Sequence, residues 1–540
     1  MFCWLAGATC LFFSAGSVGL ALTPESPEVK KVTAKGIQFL EATDYAEFAR
    51  HPGCKALVGM CMLKHYGKQG KTHPKVVDAV ASIRAALQSK SIPSTEQIYN
   101  VGICLIFLLD LEIEGEATGE YQQDMKQLLD ILLAAQKPHG GFGYPGKPTG
   151  DTSMTQYGAL GMWACQIAGM TVPIDNWERL ANWLLRTQDP SGGYGYQGND
   201  PGSFNLVAQT EVRGSLSAAG LGSVYICADS LRLLAVDTES DSSAPTALKK
   251  VVKPAESLTK NVDPKQTTEA LKRGQNWFGT HYTAGYKIEP VHWTTYYMYA
   301  FERYKSFQAA VQPKATEDTR WYDDGYNFLA GKQEANGSWV FPGEQYTVAN
   351  TAFGLLFLYR STQKIIQTVK SYGGGLLVGG RGLPTNAADL QMGPGGLRAK
   401  ALKGPAMELL QKLADPNDPK FEEAVRGMEE QSLVEEGDQL TDVQKRLRAM
   451  AAGKSPEARA AGLRLLGRTR NLDHVPLLIE ALRNDDALVV VAATEALQFM
   501  ARKFRPAGEF GVDEEARKRA SAYWKSWYRG VRPDAEFDDD

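Results

Sequence analysis

Histidine and cysteine are scarce in this chain, with seven of each among 540 residues. Past residue 22 the cysteines are Cys54, Cys61, Cys104, Cys165 and Cys227, an odd number at wide spacing, which is not a disulfide framework. Cys54 and Cys61 would stand about two helical turns, roughly 10 Å, apart on one helix, too far to bridge. The five read as small buried side chains. The histidines (His51, His65, His73, His139, His281, His292 and His474) are scattered, and no cysteine is spaced to join one of them in a zinc site. No metal or other cofactor is therefore expected. A dominant charge is missing too: the net charge is −3 and the pI near 6.2, which excludes nucleic acid as the default partner.

Long apolar runs are confined to one place. Residues 1–22 carry no charge and are almost wholly apolar, and the first charged residue is Glu25. Gly19-Leu20-Ala21 offers small residues where a signal peptidase cuts. The segment reads as a signal peptide over 1–21, or as a membrane anchor if uncleaved, so the chain is expected to be exported to the periplasm or beyond.

What is present is a repeat. Residues 131–144 read ILLAAQKPHGGFGY and residues 183–196 read WLLRTQDPSGGYGY, 52 residues apart. A weaker copy, FLAGKQEANGSWVFPG, starts at Phe328. Pro138 and Pro190 stop a helix, the paired glycines let the chain reverse, and Gln136 or Gln188 can hydrogen-bond a backbone group in the turn. The aromatics Phe142, Tyr144, Tyr194, Tyr196 and Trp339 can lie against the neighbouring repeat. A second helix rich in small residues follows each turn, MTQYGALGMWACQIAG from Met154 and SLSAAGLGSVYICADSL from Ser215, as close helix packing needs. A fixed period of this length marks a repeat architecture.

Helical periodicity divides residues 29–361 into six hairpins: 29–43 with 53–66, 75–89 with 96–111, 121–170, 175–235, 270–279 with 292–304, and 318–332 with 346–361. Six hairpins, each with an outer and an inner helix, suit a closed α/α toroid. Residues 237–264, rich in Ser, Asp, Lys and Pro, read as an exposed excursion. Residues 362–398 read as a glycine-rich linker, in which Gly379-Gly380-Arg381-Gly382 lacks the Lys-Ser/Thr of a phosphate loop. From 399 to 530 the composition shifts to Ala, Leu, Arg and Glu. Here Ala460-Ala461 and Leu465 recur 32 residues later as Ala492-Ala493 and Leu497. Pro476 can open the second helix of a pair, and Trp524, Trp527 and Tyr528 are expected to cap the last repeat. An acidic tail, 531–540, ends the chain.

The Gln–x–x–x–Gly-Gly–aromatic–Gly repeats resemble the prenyltransferase and squalene-oxidase repeat family, which includes terpenoid cyclases, and the 400–505 region resembles HEAT-like repeats. The resemblance implies an all-α toroid with an aromatic-lined centre, followed by an α-solenoid, in the manner of secreted bacterial members of that family. It also implies where chemistry would lie. The segment matching the cyclase acid motif is Thr149-Gly150-Asp151-Thr152-Ser153, with Gly150 at the acid position and Asp151 alone beside it. Asp151 reads first as a helix cap. The segment matching the prenyltransferase zinc histidine is Glu344-Gln345-Tyr346-Thr347-Val348, with Thr347 in its place.

Inner-helix starts contribute Asp151, Gln156, Glu211, Arg213, His292, Trp293, Tyr296, Tyr297, Tyr346 and Asn350. Asp151 is the candidate catalytic residue. Arg213, Glu211, His292, Trp293, Tyr296, Tyr346 and Asn350 are the candidate cavity residues. Three functions stay open. The loss of both catalytic motifs favours an exported binding or scaffold module with protein partners. A divergent cyclase or prenyltransferase would use Asp151 on an apolar ligand. A carbohydrate-active enzyme would rest on the analogy of α/α toroids that take polysaccharides.

Overall fold

The computed structural model describes residues 21–44, 51–114, 119–234, 257–282, 293–311, 320–344, 346–371, 390–393, 396–399, 406–413, 415, 418, 420–430, 438–501 and 513–537. Residues 1–20, most of the 237–264 excursion, His292, Gln345 and Gly379 to Gly382 lie outside them.

Among the described residues the ring is built from twelve helices in outer–inner pairs. The outer helices are α1 (Pro27–Ala42), α3 (Pro74–Ser89), α5 (Gln122–Ala135), α7 (Ile174–Arg186), α9 (Pro264–His281) and α11 (Arg320–Lys332). The inner ones are α2 (Pro52–Tyr66), α4 (Gln97–Glu114), α6 (Thr152–Ile167), α8 (Gly214–Ser230), α10 (Thr294–Val311) and α12 (Thr347–Leu358). Each inner helix packs on the next, and α12 packs back on α2, so the ring closes. The fold is an all-α toroid, with its six hairpins where the periodicity places them.

The repeated turn shows why the ring closes. Gln136 donates to Gly140 O (2.8 Å) in its own turn and to Asn176 O (3.0 Å) on the next outer helix. Gln188 does the same to Gly192 O (3.0 Å) and Ala270 O (2.9 Å). In the third copy Gln333 bonds Gly337 O (3.0 Å) and Val32 O (2.9 Å), joining the last hairpin to the first. The turn reading anticipates the first bond of each pair; the second, between repeats, is what the glutamine adds. The turn glycine has φ of 105°, 101° and 91° at Gly140, Gly192 and Gly337. A Cβ there would stand 2.0, 2.3 and 2.2 Å from a carbonyl oxygen of the next outer helix, at Arg179, Arg273 and Lys35 respectively. Only glycine allows both the left-handed backbone and this approach.

Tyr144 and Tyr196 meet across neighbouring repeats and Trp339 lies against Gly36 of the first hairpin, as expected, but the other two turn aromatics pack within their own hairpins. Phe142 and Tyr194 press against Gly158 and Gly220 of their own inner helices, where a Cβ would come within 2.3 and 2.4 Å of a ring atom. The small residues of the inner helices therefore admit the turn's aromatic as well as the neighbouring helix. Cys61, Cys104, Cys165 and Cys227 are core side chains, and burial pushes their thiols upward.

The segment read as a linker begins as helix α13 (Ser361–Ser371), which packs on α10, α4 and α12. Buried Glu302 of α10 anchors its first turn, accepting from Gln363 N (3.2 Å) and Ser306 Oγ (2.8 Å). Strands β3 (Leu390–Gly393) and β4 (Gly396–Ala399) pair antiparallel further on, after the two short strands of the ring, β1 (Gly150–Asp151) and β2 (Gln197–Gly198).

Helices α14 (Ala406–Lys412), α15 (Phe421–Glu430), α16 (Asp438–Ala451), α17 (Pro456–Arg468), α18 (Val475–Ala481), α19 (Ala487–Ala501) and α20 (Glu514–Val531) share a second apolar core. The 32-residue echo falls on α17 and α19, which pack together, and its residues Ala460, Ala461, Leu465, Ala492, Ala493 and Leu497 are all buried. Pro476 lies in the first turn of α18. Trp524 and Tyr528 of α20 are buried in this core, and Tyr523 reaches the ring, donating to Gly169 O at 2.8 Å. No described helix is long and apolar enough to cross a membrane.

Candidate functional site

The N-terminal ends of the inner helices converge at one mouth of the ring. Asp151 is the N-cap of α6: its Oδ1 accepts from Met154 N (2.9 Å) and Ser153 Oγ (2.6 Å), and its Oδ2 from Gln197 Nε2 (3.0 Å). The cap reading of the sequence is what the geometry gives. The carboxyl is nonetheless unusual. It is fully buried, and burial raises its affinity for a proton, opposed by the hydrogen bonds from Ser153 and Met154.

Tyrosines surround it. Tyr99 of α4 shares a 2.8 Å hydrogen bond with Ser153 Oγ, the hydroxyls of Tyr144 and Tyr196 are 3.3 Å apart, and Tyr296 donates to Gln156 Oε1 (3.1 Å) across the ring. Burial, and for each the negative charge of Asp151, push the hydroxyls of Tyr99, Tyr196 and Tyr296 above the usual tyrosine range. All three hydroxyls thus lie within electrostatic reach of Asp151.

Arg213, the residue before α8, lies with its guanidinium carbon 5.6 Å from the centre of the Tyr196 ring. It also acts on the Tyr196 and Tyr296 hydroxyls, so it shares the mouth with Asp151. Glu211, 3.7 Å from Arg213, has a side chain 60% exposed and stays at the rim. Trp293 and Tyr346 stack at 5.8 Å, each 44% exposed. Trp293 holds φ 65°, a strained setting for a bulky residue at the entrance of α10. Glu344 accepts from Thr294 N (2.8 Å), while its Oε2 is buried without a partner. Asn350 is buried one turn into α12 and accepts from Thr295 Oγ1 at 3.4 Å. Tyr297 packs near Gly214, away from Tyr296 on its own helix.

The structure thus brings Asp151, Arg213 and Tyr296 together, sets Trp293 and Tyr346 at the rim, and leaves Glu211 facing solvent. Sequence reasoning did not assign Tyr99, Gln197 or Arg303 to the site, and took Tyr144 and Tyr196 as packing aromatics. A signal for the last two was available, since they occupy the same position in the two clear repeats. Among the described residues no group of three His, Cys, Asp or Glu side chains could hold a metal ion.

No family model matches the chain, and no curated protein matches it. Solved structures similar to it include α/α-toroid glycoside hydrolases. One is an inactive variant of the α-1,6-mannanase GH76A of Salegentibacter sp. HEL1_6 in complex with an α-1,6-linked mannotetraose, at 9% identity and a TM-score of 0.43, covering 62% of this chain and 99% of that one. A family 76 glycoside hydrolase from a bovine Bacteroides thetaiotaomicron strain aligns at 10% identity and a TM-score of 0.40, over 64% of this chain and 79% of that one. An Asp-to-Asn variant of an unsaturated glucuronyl hydrolase aligns at 12% and 0.43, over 63% and 96%. At these values the likeness says nothing of what this chain binds. The prenyltransferase family suggested by the repeats is not shown; the toroid is, by the chain's own helix packing.

Proposed function

We propose that the mouth of the toroid is a carbohydrate site on an exported chain, and that Asp151 is the group that exchanges a proton with the bound saccharide. One observation carries this reading: Tyr99, Tyr144, Tyr196 and Tyr296 converge with Arg213 on a single buried carboxyl. Aromatic faces pack against the C–H faces of sugar rings, while tyrosine hydroxyls, the arginine and Gln197 supply the directed polar contacts that such a pocket needs. A carboxyl whose proton affinity is raised by burial is suited to acid–base work. Glycoside hydrolysis uses a second carboxylate, and Glu344, which precedes α12 and accepts from the first residue of α10, is the candidate.

The test is release of reducing ends from a panel of oligosaccharides by the full chain. Wild type is expected to act on at least one, Asp151→Asn to lose that activity while still binding, and Glu344→Gln to reduce it. Binding without turnover in wild type would leave a lectin-like module. The absence of both would contradict the proposal.

A second reading, a scaffold for a protein partner with the C-terminal helices as a HEAT-like platform, draws on the exposed Trp293–Tyr346 stack, because exposed aromatics anchor interfaces. A cyclase use of Asp151 draws less support. No described group stands out as a partner that would make it an acid strong enough to protonate an alkene.

A further inference from the structure

Arg303 carries a charge that the described protein does not answer. It lies on α10 inside the ring and is 1% exposed. Its guanidinium carbon is 4.0 Å from the centre of the Tyr299 ring and 5.1 Å from that of Tyr157. Its hydrogen bonds are long, 3.4 Å from Nε to Tyr299 O and 3.4 Å from Nη2 to Tyr157 Oη, and its Nη1 has no partner.

Among the described residues no carboxylate makes a hydrogen bond or ion pair with Arg303. Glu302, its neighbour in the chain, turns one oxygen to Ser306 and to the first turn of α13, and its Oε2 is buried without a partner. The tyrosines supply no counter-charge, since burial pushes the hydroxyls of Tyr296 and Tyr299 upward and keeps them neutral. A guanidinium buried among aromatic rings with no anion beside it is costly, and an arriving anion would relieve that cost.

An independent observation at the mouth points the same way. Arg213 has a buried Nε with no partner, and its nearest carboxylate is the solvent-facing Glu211. Both arginines and Asp151 lie within electrostatic reach of the Tyr296 hydroxyl. Tyr296 stacks on Tyr157 (6.4 Å), and Tyr157 lies over Arg303, a continuous series from mouth to interior. Phe353 of α12 flanks both Tyr296 and Tyr299 and is half-buried, less enclosed than the rings it meets.

We infer that Arg303 is an anion-recognition residue at the inner end of the site and that the ligand carries a carboxylate, with Arg213 meeting the anion on entry. The inference rests on the carbohydrate reading in one respect, that the carboxylate belongs to a uronate of an acidic oligosaccharide; a free small carboxylate offers Arg303 the same chemistry. Arginine suits the task because its planar fork meets a carboxylate through two parallel hydrogen bonds.

The experiment is calorimetric titration of the full chain, as wild type, Arg303→Met and Arg303→Lys. The ligands are oligouronates (galacturonate, mannuronate and glucuronate series), neutral mannooligosaccharides of matched length, and sodium acetate. One oligouronate series is expected to bind at least tenfold tighter than the neutral series and to weaken with added salt. Arg303→Met should lose that binding at least tenfold, and Arg303→Lys less. Arg303-dependent binding of acetate, with no gain from the sugar chain, would support the anion site and overturn the carbohydrate reading. Equal affinity for acidic and neutral chains, or unchanged affinity in Arg303→Met, would overturn the anion site and leave the carbohydrate reading standing. No binding of any ligand would overturn both. Should Arg303→Met fail to fold, the wild-type comparison of acidic with neutral chains decides.

Discussion

The hydroxyls of Tyr144 and Tyr196 meet at 3.3 Å. The two residues are 52 apart in sequence and occupy the same place in successive repeats. Each clear repeat therefore delivers a tyrosine to the mouth of the ring, beside the carboxyl that caps the inner helix. Gln197, the residue after the second tyrosine, bonds Asp151 Oδ2 and accepts from Thr149 Oγ1 (2.6 Å). Two consecutive turns thus hold one carboxyl between them, and the repeat that builds the ring also builds the site.

Asp151 has a structural duty and a proposed chemical one, and two substitutions separate them. Asparagine can still cap the helix by accepting from Met154 N, but it turns an NH2 toward Gln197 Nε2, so Asp151→Asn is expected to cost about 1 kcal/mol. Asp151→Ala removes all three buried hydrogen bonds and should cost about 3 kcal/mol. Denaturant melts check the stability difference. Loss of sugar turnover in both variants would assign the chemistry to the carboxyl, and full turnover in Asp151→Asn would remove it from the mechanism.

The glutamine clamp predicts a stability effect far from the mouth. Gln188→Ala removes buried hydrogen bonds to Gly192 O and Ala270 O, and at about 1 kcal/mol each it should lower unfolding stability by about 2 kcal/mol. Gly192→Ala should cost more, because its Cβ would meet Arg273 O at 2.3 Å with φ at 101°. If Gln188→Ala melts like wild type, the clamp is not what joins the repeats.

Much of this was legible in sequence. The Gln–Pro–Gly-Gly spacing gave the turn, and the helical period gave six hairpins, including the first and fifth, which lack the turn signature. The site was only half legible. Asp151 and Arg213 could be named because they precede inner helices. Tyr99 and Arg303 lie within helices whose apolar pattern marks them as core, and nothing local shows which residues they meet across the ring. Helix α13 was missed because its apolar residues are followed by the glycine run at 373, which reads as linker.

The C-terminal helices carry a pH-dependent term. His474 is buried, accepts from Arg448 Nε at 3.1 Å through Nδ1, and is lowered to about 4 by burial and then by the arginine's charge. The folded state therefore binds the proton less tightly than the unfolded state does. Its contribution is fully present above about pH 6.5, declines as pH falls through the window to about 4, and is absent below. At 1.36 kcal/mol per unit the effect is on the order of 3 kcal/mol. Urea melts of wild type and His474→Gln at pH 7, 5.5 and 4.5 should show a smaller acid-side loss in the variant. Parallel losses would contradict it.

The N-terminus gives a separate expectation for the proposed export. Leu22 N donates to Asp323 Oδ1 at 2.8 Å and packs against the ring core. Removal of residues 1–21 would turn this hydrogen bond into an ion pair with the new amino group. N-terminal sequencing of protein from its own host should begin at Leu22, with Asp323→Asn lowering the melting temperature of the processed form. An intact Met1 would contradict the processing.

The central claim, that the ring mouth holds a saccharide, is tested most directly by native mass spectrometry of the full chain mixed with an oligosaccharide library, for wild type and Tyr196→Ala. The account predicts that wild type captures a defined saccharide and that Tyr196→Ala captures it at least tenfold less well with the fold intact. Capture of no saccharide by wild type, or equal capture by both proteins, would contradict it.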